Sequence, residues 1–345
     1  MSLVVWNMPP RLSIDAQQKK KKVFLSLTGV MFVAILATPV LDSVSDLINY
    51  SEYYDRIGGC DLRGILTGAS GFEPGYGLLN YMAHAISKNF YFFLFVYALV
   101  IINLYHRSFY KYSPYVLFSV LMFLLTFFNQ HIFLLRQGLS VAVCCYSLKY
   151  VIDRKFWYFV IACIIAFSFH NSSLVFFPVY FIYGIKTMNR ASLMIILGSV
   201  VLLLFFNNIL NFVGVYFERY ESYLFEDRGK TSVTNVLIAL IITICYVVFL
   251  GKKVLFDGIN RLIFFMLIIT VVSYAFSLGH TSAMVRALMC YRISYLFAIP
   301  ITLRNIKDST TRFLYGFGVL VSFFLLTYVI GDSIKDFISY KLIFL

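Results

Sequence analysis

Long apolar runs, each closed by basic or polar residues, recur along this chain and predict membrane-length helices. They lie at Val23–Val40, Phe90–Tyr105, Pro114–Asn129, Ile132–Val151, Phe156–Phe169, Ser172–Ile185, Ala191–Asn211, Val233–Leu250, Leu262–Leu278, Ala283–Leu303 and Phe313–Ile330. A membrane β-barrel would alternate apolar and polar residues at every second position, and these runs do not. The expected fold is therefore all-α: a polytopic integral membrane bundle of about eleven helices, forming one domain over 1–345. No internal repeat or low-complexity linker divides it. Two polar loops interrupt the pattern, an amphipathic one over 41–88 and a shorter one over 217–232. Within the first, Asp46–Ile57 suits a helix lying at the interface. Pro74 suits the first turn of another, running to about Ser87.

Composition agrees. Of 345 residues, 61% are hydrophobic and only 13% charged, more apolar surface than a soluble domain could hide. The net charge of +13 would suggest a nucleic-acid binder, but its distribution points elsewhere. One face of the predicted bundle collects 18 cations, among them Lys19 to Lys22, Arg107, Lys111, Lys149 and Arg312, against 4 acids, for +14. The other face holds 11 cations and 12 acids, for −1. By the positive-inside rule the basic face and the N-terminus are cytoplasmic. An odd number of spans then puts the C-terminus and both polar loops outside. The lysine run is an inside anchor rather than a nucleic-acid or lipid-signalling patch. Ala37-Thr38-Pro39 is not a typical cleavage site, so the first span is expected to be retained. Five of six cysteines, all but Cys60, lie in apolar runs without CxxC or Cys/His spacing, which indicates neither disulfides nor zinc. The cytoplasmic loops are short, and neither GxxxxGK[ST] nor a GxGxxG after a strand occurs. No nucleotide, other cofactor or metal is called for.

The candidate chemistry is cationic. In a helix entered at Ala283, about 1.5 Å per residue places Arg292 roughly 13 Å deep. A guanidinium there costs at least ~2.5 kcal/mol and should face a cavity with an anionic partner. Arg286 lies on the same run, and the α-helical step points it about 120° away. Arg136 and Gln137 lie one turn into the fourth span, and His170 and Asn171 close the fifth. Arg136 could instead snorkel to the headgroups, and His170 could be a helix cap. The first loop carries Asp46, Tyr50 and Glu73, and the second Arg219 and Tyr220. Tyrosines beside charges suit stacking on sugar rings, or equally an aromatic belt at headgroup level. Arginines at an outer leaflet with acids and a histidine nearby suit a lipid diphosphate.

Four stretches carry a resemblance to the EpsG/Wzy-type polysaccharide polymerases of bacterial envelopes. They are Asp46-Leu47-Ile48-Asn49-Tyr50, Phe72-Glu73-Pro74-Gly75-Tyr76, Arg136-Gln137-Gly138-Leu139-Ser140 through to His170-Asn171-Ser172-Ser173, and Arg286 through Arg292 to Phe297. The resemblance implies a lipid-diphosphate-dependent glycosyltransferase of the bacterial inner membrane, joining undecaprenyl-diphosphate-linked repeat units on its external face. O-antigen and related surface glycans are the products it implies. Arg136, Arg286 and Arg292 would hold the donor and acceptor diphosphates. Glu73, Asp46 or His170 would be the base, and Tyr50, Arg219 and Tyr220 would position sugars. Expected partners are the lipid-linked donor and acceptor, membrane lipid, a chain-length regulator and a repeat-unit flippase, with no nucleic acid.

Rival readings are distinguishable. An O-antigen ligase usually carries a large external loop late in the chain, and 217–232 is short. A glycosyltransferase using monosaccharyl lipids would show acidic pairs in the first external loop, which Asp42, Asp46, Glu52 and Asp55 partly imitate. A flippase or other transporter would place charges near the midplane in two related halves. A membrane O-acyltransferase would use an intramembrane histidine, a part His170 could fill.

Overall fold

Polar residues at the borders of the apolar runs decide where helices begin. Asn89 accepts a hydrogen bond from the Tyr91 amide at 2.9 Å and opens the helix Phe90–Tyr112. Asp257 does the same for Gly258–Phe276 through Ile259, and Asp308 for Ser309–Leu325 through Thr311. Each side chain satisfies an amide that the first helical turn would leave unpaired.

The computed structural model describes residues 14–40, 45–184, 232–279, 285–286 and 288–330. These residues are helical and contain no strand. Five described helices are long and apolar enough to cross a membrane: Phe90–Tyr112, Val116–Phe133, Val233–Leu250, Gly258–Ala275 and Ser309–Tyr328. Large apolar side chains stay exposed on their outer faces, including Val248 at 67% and Phe317 at 57%. Lipid is the solvent that tolerates them. The protein is a membrane protein with an all-helical fold.

Several predicted borders move. The first helix is Ile14–Ala37, so the lysine run lies inside it. The third predicted span continues to Phe133, with a π-helical turn at Leu124–Phe128, and the fourth starts at Leu135 after a bend at Leu134. The predicted span Ser172–Ile185 is not one α-helix. It opens as a 3-10 turn at Asn171–Phe176 and resumes as Val179–Gly184. Pro178 between them lacks an amide and restricts Phe177 before it. The predicted α-helix Ala283–Leu303 is likewise corrected: Met289–Ser294 is 3-10 and α-helix begins at Tyr295. There the Tyr291 hydroxyl donates to the Val175 carbonyl at 2.6 Å, a tertiary anchor holding the tighter winding. The 100° step that set Arg286 against Arg292 therefore does not apply. The predicted span Ala191–Asn211 and nearly all of loop 217–232, including Arg219 and Tyr220, lie outside the described residues.

Helix Phe90–Tyr112 is the spine. Ile14–Ala37 packs along one side of it and Leu135–Ile152 along another, and Phe156–Phe169 packs on the latter. Buried rings run up its length: Phe93 against Tyr54 at 5.6 Å, Phe93 against Tyr97 at 6.3 Å, and Tyr105 against Phe123 at 4.7 Å. Such pairs add about 0.5–1.5 kcal/mol each beyond their area. The spine also separates two polar ends. Phe90 touches Tyr54 of the first loop, whereas Lys111, 21 residues on and roughly 32 Å away along the axis, pairs with Asp153 at 3.3 Å.

Candidate functional site

Helix Ser45–Ile57 buries Leu47, Tyr50, Tyr53, Tyr54 and Ile57, one stripe at helical spacing, and leaves Asp46, Glu52 and Asp55 toward solvent. Its rings close around Phe72, with Tyr53 at 4.4 Å and Tyr50 at 5.7 Å. Helix Pro74–Ile86 follows with Pro74 in its first turn, as the sequence predicts. Proline removes one amide that would otherwise need a cap, and the Glu73 carboxylate makes no capping bond. It is free to point elsewhere. Gly75 brings this helix start against the end of helix Phe156–Phe169: a Cβ there would lie 2.2 Å from Ser168 Oγ. His170, which ends that second helix, is thereby placed beside Glu73.

The result is a cluster in which His170 joins the Arg136–Glu73 ion pair. Arg136 Nη1 donates to Glu73 Oε2 at 2.5 Å, and His170 Nδ1 lies 3.0 Å from Glu73 Oε1. Glu73 is 11% exposed and the other two side chains 22% each, so solvent screens the cluster weakly. The Arg136 guanidinium also lies over the Phe72 ring at 4.3 Å. Burial pushes the Glu73 carboxyl up, but the His170 hydrogen bond and the Arg136 charge outweigh it and hold the group at about 2. Glu73 therefore stays ionised across the physiological range. Tyr50, 7% exposed, senses Arg136, Asp46 and Glu73 electrostatically, and burial is the main cause that raises its phenol. Arg136 Nε has no hydrogen-bond partner among the described residues.

The other predicted arginines sit differently. The Arg286 carbonyl accepts from Gln137 Nε2 at 2.6 Å, which ties the segment before the 3-10 turn to the residue next to Arg136. Arg292 is 9% exposed and deep in the bundle. Its Nη2 makes a long 3.4 Å bond to the Thr126 carbonyl, and the rings of Phe127 and Tyr274 flank it at 5.6 and 5.8 Å. The expected anionic partner is not found, for no carboxylate pairs with Arg292 among the described residues. Thr126 lies in the π turn Leu124–Phe128, where the neighbouring Leu125 carbonyl also accepts from Thr327 Oγ1 at 2.8 Å. Among the described residues, none partners both Arg136 and Arg292.

The structure thus joins Glu73, Arg136 and His170, sets Tyr50 and Asp46 beside them, and leaves Arg292 in separate surroundings. It also reveals residues that sequence reasoning passed over. Phe72 is the platform for Arg136, and its signal is an aromatic next to the acid. His131 is wholly buried, with Nε2 3.2 Å from the Tyr105 hydroxyl, and its carbonyl accepts from Tyr97 at 2.7 Å. Its signal is the polar triplet Asn129-Gln130-His131 between two apolar runs. Gly138 permits this nest, since a Cβ there would lie 2.7 Å from the Tyr97 hydroxyl.

No curated protein and no solved structure matches this chain. A family model does, over residues 22–342, and that interval contains every candidate side chain described above. The match is consistent with a membrane-embedded, glycosyltransferase-like polysaccharide polymerase. With nearly the whole chain covered, the protein belongs to the EpsG family.

Proposed function

We propose that this protein is a polysaccharide polymerase of the bacterial inner membrane. It would join repeat units carried on undecaprenyl diphosphate at the external face, the side away from its lysine-rich end. The Glu73–His170 contact carries the reading. A permanently ionised Glu73 accepts the Nδ1 proton of His170 and so leaves Nε2 as a lone-pair acceptor, a carboxylate-oriented imidazole. Glu73 itself, held at about 2, is a poor base. Of the three candidates His170 therefore takes the proton, Glu73 positions it, and exposed Asp46 helps place the acceptor sugar.

In the transfer, an acceptor hydroxyl attacks the anomeric carbon of the lipid-linked glycan. The bond from that carbon to the diphosphate oxygen breaks, the hydroxyl proton passes to His170 Nε2, and undecaprenyl diphosphate leaves. Negative charge grows on the departing diphosphate, and fixed guanidinium groups stabilise it preferentially. Arg136, Arg286 and Arg292 are the groups for this, and Tyr50, Arg219 and Tyr220 position sugars. Work with a flippase that supplies repeat units and a regulator of chain length belongs to the same proposal.

The test is complementation of a deletion strain with single variants, read as surface-glycan ladders at matched protein level. His170→Ala should leave one repeat per acceptor, and Glu73→Gln should shorten the ladder strongly. Bare acceptor instead of single repeats would mean ligation or flipping. Wild-type ladders from His170→Ala, Glu73→Gln and Asp46→Asn alike would overturn the assignment.

A further inference from the structure

Opposite the Glu73 cluster, a groove of about 1240 Å³ runs between the first helix and the spine. That exceeds the roughly 300–1,000 Å³ usual for a small-molecule pocket. It follows the first helix from Lys22 to Thr38, 16 residues or about 24 Å of axis, more than the roughly 15 Å of one hydrocarbon leaflet. Its wall is apolar and opens sideways, with Val30 72% exposed and Phe95 and Leu99 each 45% exposed.

One end of the groove is strongly basic. Lys22, Arg107, Lys111, Lys149 and Lys155 line it, contributed by three helices and the turn after the third, and Asp153 is the single carboxylate among the lining residues. That acid is already paired with Lys111. Lys149 bonds to the Tyr146 hydroxyl, Lys22 lies over the Tyr110 ring at 5.8 Å, and Arg107 Nε donates to the neutral Asn103 at 3.0 Å. Lys111 also lies over the Tyr112 ring at 5.1 Å, and His106 lines the groove with its Nε2 unpartnered among the described residues. An apolar trough ending in five basic side chains against one carboxylate fits a phosphate head with a hydrocarbon tail. A zwitterionic lipid would bring its own cation into this field.

The geometry points to a binding site for an anionic diacyl phospholipid, drawn from the leaflet at the lysine-rich end, with its phosphate between Arg107 and Lys149 and an acyl chain along the first helix. The site is independent of the glycan chemistry. Basic pockets between membrane helices recognise anionic headgroups through the same charge matching.

Native mass spectrometry of the purified full chain, from micelles holding equal phosphatidylglycerol and phosphatidylcholine, tests it. The wild type should retain phosphatidylglycerol selectively. The double variant Arg107→Gln/Lys149→Gln should bind it about thirtyfold more weakly, the weight of two basic side chains at an anionic headgroup. Val30→Trp keeps every charge but obstructs the exposed trough, and it should also weaken retention. Equal retention of both lipids, unchanged affinity in the double variant, or a thermal shift with inorganic phosphate as large as with phosphatidylglycerol would each overturn the proposal. So would a second copy of the chain seated on the Val30 face that added lipid does not displace.

Discussion

Arg136 and Arg292 are the same side chain in two kinds of surroundings. Arg136 has a carboxylate at 2.5 Å, an aromatic platform, and a histidine sharing its partner. Arg292 has a carbonyl at 3.4 Å and two rings beyond 5 Å. The first charge is compensated within the protein and helps fix the loop after the first helix. The second has no carboxylate among the described residues, so its field is available to whatever anion approaches. The compensated arginine joins an architectural part to its proposed part at the diphosphate, whereas the uncompensated one should act chiefly as a receptor. The two should separate when stability and activity are measured side by side.

The largest effect on stability is expected from Arg136→Leu, which strands a weakly exposed Glu73 with only His170 as partner. Loss of one member of such a pair costs about 3 kcal/mol, the low end for buried pairs. Thermal unfolding in detergent would record it as a clear fall in midpoint, and an unchanged midpoint would break the comparison. Next comes pH. The Glu73 carboxyl titrates at about 2 when folded and near 4.5 when unfolded, so the unfolded chain binds the proton first as pH falls. Its stabilisation is complete above pH 4.5 and is lost progressively toward pH 2, up to about 3 kcal/mol in all. Midpoints measured from pH 6 to pH 3 should therefore drop below pH 4.5 in the wild type, and Glu73→Gln should remove that part of the slope. Phe72→Leu takes away the ring beneath Arg136 and should cost about 1 kcal/mol, with the ladder shortened rather than abolished. The smallest loss of stability belongs to Arg292→Gln, below that of Phe72→Leu, because no carboxylate is orphaned and a buried charge is removed. Glycan ladders should nonetheless collapse to single repeats in that variant. A large loss of stability there would make Arg292 structural, with the Thr126 carbonyl as its main purpose.

Local features of the fold were legible in the sequence because they depend on local chemistry. The stripe of Leu47, Tyr50, Tyr54 and Ile57 and the placing of Pro74 specify two helices, and both form where expected. Helices Phe156–Phe169 and Val233–Leu250 also match residue for residue. Winding was not legible. Hydropathy is blind to whether a run turns as α, 3-10 or π, and the choice at Met289–Ser294 accompanies a bond from Tyr291 to a carbonyl 116 residues away. The same limit hid the Glu73 cluster. Glu73 was visible as an acid and Arg136 as a cation, but they are 63 positions apart, and His170 is 97 from Glu73. The close approach at Gly75, which lets the ends of two helices meet there, shows only in the folded chain.

The π turn at Leu124–Phe128 holds one residue more than an α turn can accommodate, and this sets the phase of the helix beyond it. Forcing regular α winding through it with that residue kept would swing every later side chain of that helix by about 100°. His131 would rotate away from Tyr105. The extra residue thus works as a spacer that keeps two polar nests aligned, and chimaeras exchanged across this point must preserve its length.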